Sequence, residues 1–174
     1  MGRMALFERP PRPDRAQLAE LHDQTGDTER PLAFGTGDGT AVFITRNRFA
    51  VRGTNGRWLV LGWEEILSGG WVNDARMLRW TTMTGAPGEI TLDDPGLVPE
   101  LFRDRVNASF VAEERVTVPG GEVLITGRRN PGSPGSEVFW HALPMRGADL
   151  DDPQTRQLVI DVTEQLRANY DVGG

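Results

Sequence analysis

From residue 31 onward, short apolar runs alternate with turns rich in Gly, Asn and Pro. "PLAF" and "TAVFIT" flank a turn of residues 35–39; "FAVRG" and "RWLVLGW" flank Thr54-Asn55-Gly56. Asn-Gly is a strong hairpin signal, because both residues tolerate positive φ. "GGWVND" and "RMLRWTTM" predict a further hairpin about Asp74 and Ala75, and "GEITLDD" a seventh strand. In "DDPGLVPELFRDRVNASF" the period changes to that of a helix. Val98, Leu101, Phe102 and Val106 share one face, and Pro99 suits the first turn, where its missing N–H is not needed. Strands return with "FVAEERVTV", "EVLITGRR" and "SEVFWHALPM".

Two more helices frame this pattern. Near the start, "DRAQLAELHDQ" carries a capping box of Asp14 and Gln17, with Leu18 and Leu21 as a thin apolar stripe. At the end, Asp152 and Pro153 open a helix whose Leu158, Val159, Val162 and Leu166 form an apolar face. The order is α, seven β, α, three β, α. The expectation is an α+β fold, mainly antiparallel: a leader and short helix over residues 1–30, a seven-stranded curved sheet or barrel capped by a helix over 31–110, with two packed sheets as the alternative for its strands, and a three-stranded β extension with a C-terminal helix over 111–174, packed on the same domain.

Composition narrows the chemistry. The chain has 174 residues, and at this size a folded domain buries roughly 70% of its unfolded surface. Cysteine is absent, which removes disulfides, thiolate metal sites and cysteine nucleophiles. All 19 basic residues are arginine, so lysine Schiff-base chemistry and a P-loop lysine are also excluded. The apolar patch at residues 4–7 is shorter than a signal peptide's core, and no apolar run approaches a membrane span, so a cytoplasmic location is expected. Met1 and Met4 both serve as possible starts. A net charge of −6 argues against nucleic acid as partner.

The recurring motifs have structural explanations. Gly35, Gly37 and Gly39 precede a strand, not the helix that a dinucleotide-binding loop requires. The runs Asp93-Asp94-Pro95 and Asp151-Asp152-Pro153 each stand before a predicted helix, where acids cap free N–H groups; no metal is expected from them. His22 and His141 are the only histidines, and no nucleophile signature accompanies them. His141 follows Trp140 in a strand and so faces the opposite side. No cofactor is expected. Trp58, Trp63, Trp71, Trp80 and Trp140 are expected mostly in the core.

"FITRNRF" (residues 43–49) and "GWEEI" (residues 62–66) resemble segments of bacterial PH-like and GRAM-like domains. "DDPQTRQLV", "GRRNPGS" and "RDRVNAS" resemble an actinobacterial family of similar length. The resemblance spans roughly residues 31–170. It implies a seven-stranded curved sheet closed at one end by a helix. Phosphoinositide-binding PH domains carry several basic residues in the first hairpin loop. Here that loop holds Asp38 and no base, which argues against inositol-phosphate binding.

Charge is polarised along the chain. Over residues 39–80, six arginines oppose three acids; from residue 147 to the end, six acids oppose two arginines. The basic stretch offers Arg46, Arg48 and Arg57 as partner-binding candidates, with Arg128 and Arg129 beside a Gly/Pro loop as further ones. A non-enzymatic, PH-like module binding a protein partner, as monomer or homodimer, is the expected function. The alternative is a small-molecule binder or enzyme with a pocket in the curved sheet near His141.

Overall fold

The computed structural model describes residues 9–170; the patch at residues 4–7 and Asp171 lie outside them. Among the described residues the fold is α+β, with three α-helices and three antiparallel sheets, and the chain divides into two compact units, Met1–Val106 and Asn107–Gly174.

In the first unit, α1 (Arg15–Thr25) starts with the expected capping box. Asp14 Oδ1 accepts the Gln17 N–H at 2.8 Å, and Gln17 Oε1 accepts the Asp14 N–H at 2.8 Å. A four-stranded meander follows: β1 (Ala33–Gly37), β2 (Thr40–Ile44), β3 (Arg48–Arg52) and β4 (Trp58–Gly62), in the order β1-β2-β3-β4. A second meander comprises β5 (Ile66–Val72), β6 (Met77–Thr82) and β7 (Pro87–Thr91). The helix α2 (Val98–Ser109) comes next, and the unit boundary falls within it.

The seven strands form two sheets and close no barrel, which corrects the single curved sheet or barrel and agrees with the two-sheet alternative. The break lies at Trp63–Glu65, a 3₁₀ turn between β4 and β5. Glu65 Oε2 accepts the Gly62 N–H at 2.6 Å, and the buried Trp63 donates its indole N–H to the Thr45 carbonyl at 3.2 Å. Those bonds turn the chain out of the first sheet before it enters the second. At another corner, Thr36 and Asp94 exchange backbone hydrogen bonds of 2.8 and 2.9 Å, a single bridge following β7.

Between the sheets lies an aromatic core. Phe49 is its hub, with ring centroids 5.0 Å from Trp80, 5.1 Å from Phe102 and 5.9 Å from Trp63. Val98, Phe102 and Val106 of α2 join it, as their spacing predicted. The outer face of the first sheet is covered as well. Phe34, Ala41, Phe43 and Ala50 cluster with Leu21 of α1. Two-sided burial explains why β2 and β3 read as continuous apolar runs.

The turns follow glycine chemistry. Gly39 and Gly56 adopt φ of 68° and 74°. The Asn-Gly hairpin is longer than two residues: the Gly53 N–H donates to the Arg57 carbonyl, and Asn55 Oδ1 accepts the Arg57 N–H at 3.0 Å. Only Gly56 of the pair takes positive φ, so asparagine contributes its side chain here.

In the second unit, β8 (Phe110–Val118), β9 (Gly121–Arg128) and β10 (Phe139–Met145) form a sheet in the order β10-β9-β8, the expected extension. Its α3 (Pro153–Tyr170) lays Leu158, Val159, Val162 and Leu166 against Val116, Val118, Val123 and Ile125. Asp152 caps α3 by accepting the Thr155 N–H at 2.8 Å, and that bond holds its carboxyl below the usual range. The first Asp-Asp-Pro run does different work, since the backbone of Asp94 forms the bridge to Thr36.

Candidate functional site

Consecutive turns of a meander fall at alternate ends of its sheet, and this separates the predicted arginines. Arg46 is exposed in the β2–β3 turn, and Arg48 opens β3 directly opposite Gly62, at one end of β4. Arg57 is exposed at the other end, just before Trp58. The three residues therefore bracket β4 and do not converge on one point. Arg52 is turned toward α1, where its Nε lies 3.1 Å from Glu20 Oε2. None of Arg46, Arg48 and Arg57 forms an ion pair among the described residues.

Between these arginines runs an edge strand. The ladder is fixed by the turns: Thr45 N donates to the Arg48 carbonyl, and Gly53 N to that of Arg57. With the observed register, Phe49 and Val51 bond to Leu61 and Leu59. The N–H and C=O of Trp58 and Val60 then point away from β3, toward the open side. The next outward N–H, that of Gly62, is taken by Glu65. Leu59 is 40% exposed beside these groups.

Edge strands are ordinarily protected by charge, proline, bulges or a covering element. Here β1 is bridged through Thr36, β7 starts at Pro87 and carries Glu89, β5 and β8 are bulged, and β10 contains Pro144. The sequence of β4, "WLVLG", has no charge, no proline and no bulge. Charged residues drew attention to the turns in the sequence, whereas the signal for the edge was this run's lack of any protective residue.

The other predicted arginines lie in the second unit. Arg128 ends β9 and is only 7% exposed. Its Nη1 donates to Ser109 Oγ at 3.2 Å, and its Cζ lies 5.5 Å from the Phe110 ring centre. Burial lowers its pKa, and Glu113 opposes that shift. Arg129 is half-buried, with its backbone N–H on the Ser109 carbonyl at 2.8 Å. Arg128 is thus a packed side chain, not one offered to solvent.

His141 lies on the sheet face opposite Trp140, as alternation predicted. It is opposite Thr126, which in turn is opposite Glu113. Burial and then the charge of Arg128 lower its pKa, so it is a neutral imidazole at pH 7. In the first unit, a concavity of about 390 Å³ lies over Gly69, Trp80 and Gly88, with the Arg79–Glu89 pair (3.5 Å) at its rim. Another of about 350 Å³ lies between α1 and the β1–β2 hairpin. Among the described residues no group of three His, Asp or Glu is placed to hold a metal, and no helix is long and apolar enough to cross a membrane. Set against family models, curated proteins and solved structures, the chain matches none, and the reading of its site rests on this geometry.

Proposed function

We propose that the chain is a cytoplasmic, non-enzymatic, PH-like interaction module that binds a protein partner along the edge of β4. The PH-like reading is supported by the order of elements in the first unit: a four-stranded meander, a three-stranded meander, then a helix inserting Phe102 beside Phe49. The sequence's lack of cysteine suits a reducing compartment. The observation that carries the binding mode is β4 itself, an unprotected apolar edge with outward backbone groups at Trp58 and Val60. Such an edge adds a partner strand through main-chain hydrogen bonds.

Affinity capture with the wild-type chain and with Leu59→Lys, followed by mass spectrometry, tests this. A protein retained by the wild type and lost from the variant supports edge binding. Equal retention by both, or by neither, refutes it. A small-molecule or catalytic site near His141 is the second reading. It is favoured by the neutral imidazole sharing a sheet face with Thr126 and Glu113. Ligand-induced shifts of the His141 ring resonances would support it.

A further inference from the structure

The geometry points to Asp38 as a site of covalent modification: the Asp38-Gly39 peptide rearranges to isoaspartate in the folded chain, while the turn around Asn55-Gly56 holds that peptide back. The chemistry is alike in outline at both. The glycine nitrogen attacks Cγ of the preceding residue and closes a five-membered imide. Asp38 loses water in this step, and Asn55 loses ammonia; the glycine N–H supplies the proton that leaves. Water then adds to the imide. Opening at the main-chain carbonyl leaves the chain running through Cγ. Asp38 is thereby rearranged without change of mass, whereas Asn55 exchanges its amide NH₂ for OH. A glycine is the favourable partner because no Cβ crowds its nitrogen.

The two turns treat the reacting atoms differently. Asp38 and Gly39 are the two residues between the paired Gly37 and Thr40, and both are exposed. Among the described residues the Gly39 N–H reaches no acceptor, and the Asp38 carboxylate has no ion pair or hydrogen bond. A Cβ built on Gly39 would meet nothing nearer than 3.9 Å, so the ring has room to close. In the β3–β4 turn, the Gly56 N–H donates to the Gly53 carbonyl at 2.9 Å, and Asn55 Oδ1 accepts the Arg57 N–H at 3.0 Å. Nucleophile and electrophile are each tied to another neighbour. Both bonds must open before the two atoms meet, and each opening costs a factor of roughly two to ten.

Isoaspartate inserts one carbon into the main chain of the β1–β2 turn. Gly37 lies so close to β7 that a Cβ there would strike the Thr91 carbonyl, and Thr40 donates its hydroxyl to that same carbonyl at 3.2 Å. The lengthened turn loses this fit.

The wild-type chain is aged at neutral pH and body temperature, one sample native and one unfolded in guanidinium chloride. Trypsin then releases Asn55 in residues 53–57, between Arg52 and Arg57, and Asp38 in the fragment ending at Arg46. Electron-transfer mass spectrometry distinguishes isoaspartate from aspartate at each position. Asp38 should isomerise in the native sample within about threefold of its unfolded rate, as a turn with no bonds to open. Asn55 should deamidate at least about tenfold more slowly native than unfolded. The isoaspartyl fraction, separated by ion exchange, should melt at a lower temperature than its parent. The inference is overturned if folding slows Asp38 as much as Asn55, or if native Asn55 reacts at its unfolded rate. An isoaspartyl fraction that melts with the parent would refute the loss of fit at Thr91.

Discussion

The two units solve the burial of a sheet differently. In the first, β2 and β3 are covered on both faces, by Leu21 of α1 outside and by the aromatic cluster around Phe49 inside. In the second, α3 covers one face of the sheet through an aliphatic layer of Val118, Val123, Ile125 and Leu166. Interlocked rings carry large buried areas and leave little room to collapse when one is removed. A helix lying on a sheet has a longer, thinner contact whose margin is half-exposed. The first unit should therefore be sensitive to the size of single side chains, the second to polarity on one helix face.

Substitutions that attack each device separately would break this contrast. Phe49→Ala removes the ring that touches Trp63, Trp80 and Phe102, and should cost about 3–5 kcal/mol. Val162→Asp places a charge in the α3 layer, where Val162 is half-buried, and should cost about 2–3 kcal/mol. Hydrogen exchange resolved by residue separates the outcomes. Phe49→Ala should lower protection most in β2, β3 and β6, and Val162→Asp most in β8, β9 and α3. If Val162→Asp leaves α3 as protected as before, that helix does not depend on its apolar face.

A matched pair of glycines sharpens the same point. In each unit a tryptophan ring lies over the glycine opposite it on the next strand: Trp80 over Gly88 and Trp140 over Gly127. A Cβ at Gly88 would stand 2.1 Å from the Trp80 ring, and one at Gly127 would stand 2.7 Å from that of Trp140. Trp80 is buried and has nowhere to go, whereas Trp140 is half-buried and can swing aside. Gly88→Ala is expected to cost about 1–3 kcal/mol as an overpacked core, and Gly127→Ala less than 1 kcal/mol by roughly the scale of tolerated changes. Urea denaturation of both variants measures the difference. Equal losses would mean that Trp140 is as constrained as Trp80.

His141 gives a smaller, pH-dependent effect in the second unit. The folded state disfavours its charged form, through burial first and Arg128 second. As pH falls through about 6.5, the unfolded chain takes up this proton before the folded one does. Stability from this group is thus complete above that pH and declines below it. His141→Asn should reduce the fall in Tm between pH 7.5 and 5.5 relative to the wild type. An identical fall in both proteins would show that His141 is solvated.

Much of this organisation was legible because it rests on local chemistry. The capping residues Asp14 and Asp152, the apolar spacing of α2 and α3, and the turn glycines Gly39 and Gly56 act within a few residues of themselves, so the chain's own text records them. Two sheets were legible only as an alternative to a barrel, and the place where they divide was not legible. It depends on Glu65 reaching back to Gly62 and on Trp63 reaching Thr45, 18 residues away. The covering of the first sheet by α1 was hidden too, since the single buried Leu21 does that work and the helix looks mostly polar. At the candidate site, the arginines were visible by charge. Their placement at opposite ends of β4, and the burial of Arg128 at the end of β9, follow only from strand order and register.

The smallest effect tests whether the basic residues hold the first unit together or only border it. Arg46 is exposed, and Arg48 uses its backbone, not its guanidinium, to close the turn with Thr45. Neither side chain forms an ion pair among the described residues. Arg46→Glu with Arg48→Glu should therefore change stability by no more than about 0.5 kcal/mol, as expected for surface sites away from special contacts. Thermal unfolding at moderate salt measures it, with Arg52→Glu as the contrasting variant because it sets two carboxylates against each other at Glu20. A large loss in the double variant, equal to or beyond that of Arg52→Glu, would place Arg46 and Arg48 in the framework of the sheet and remove them from its binding edge.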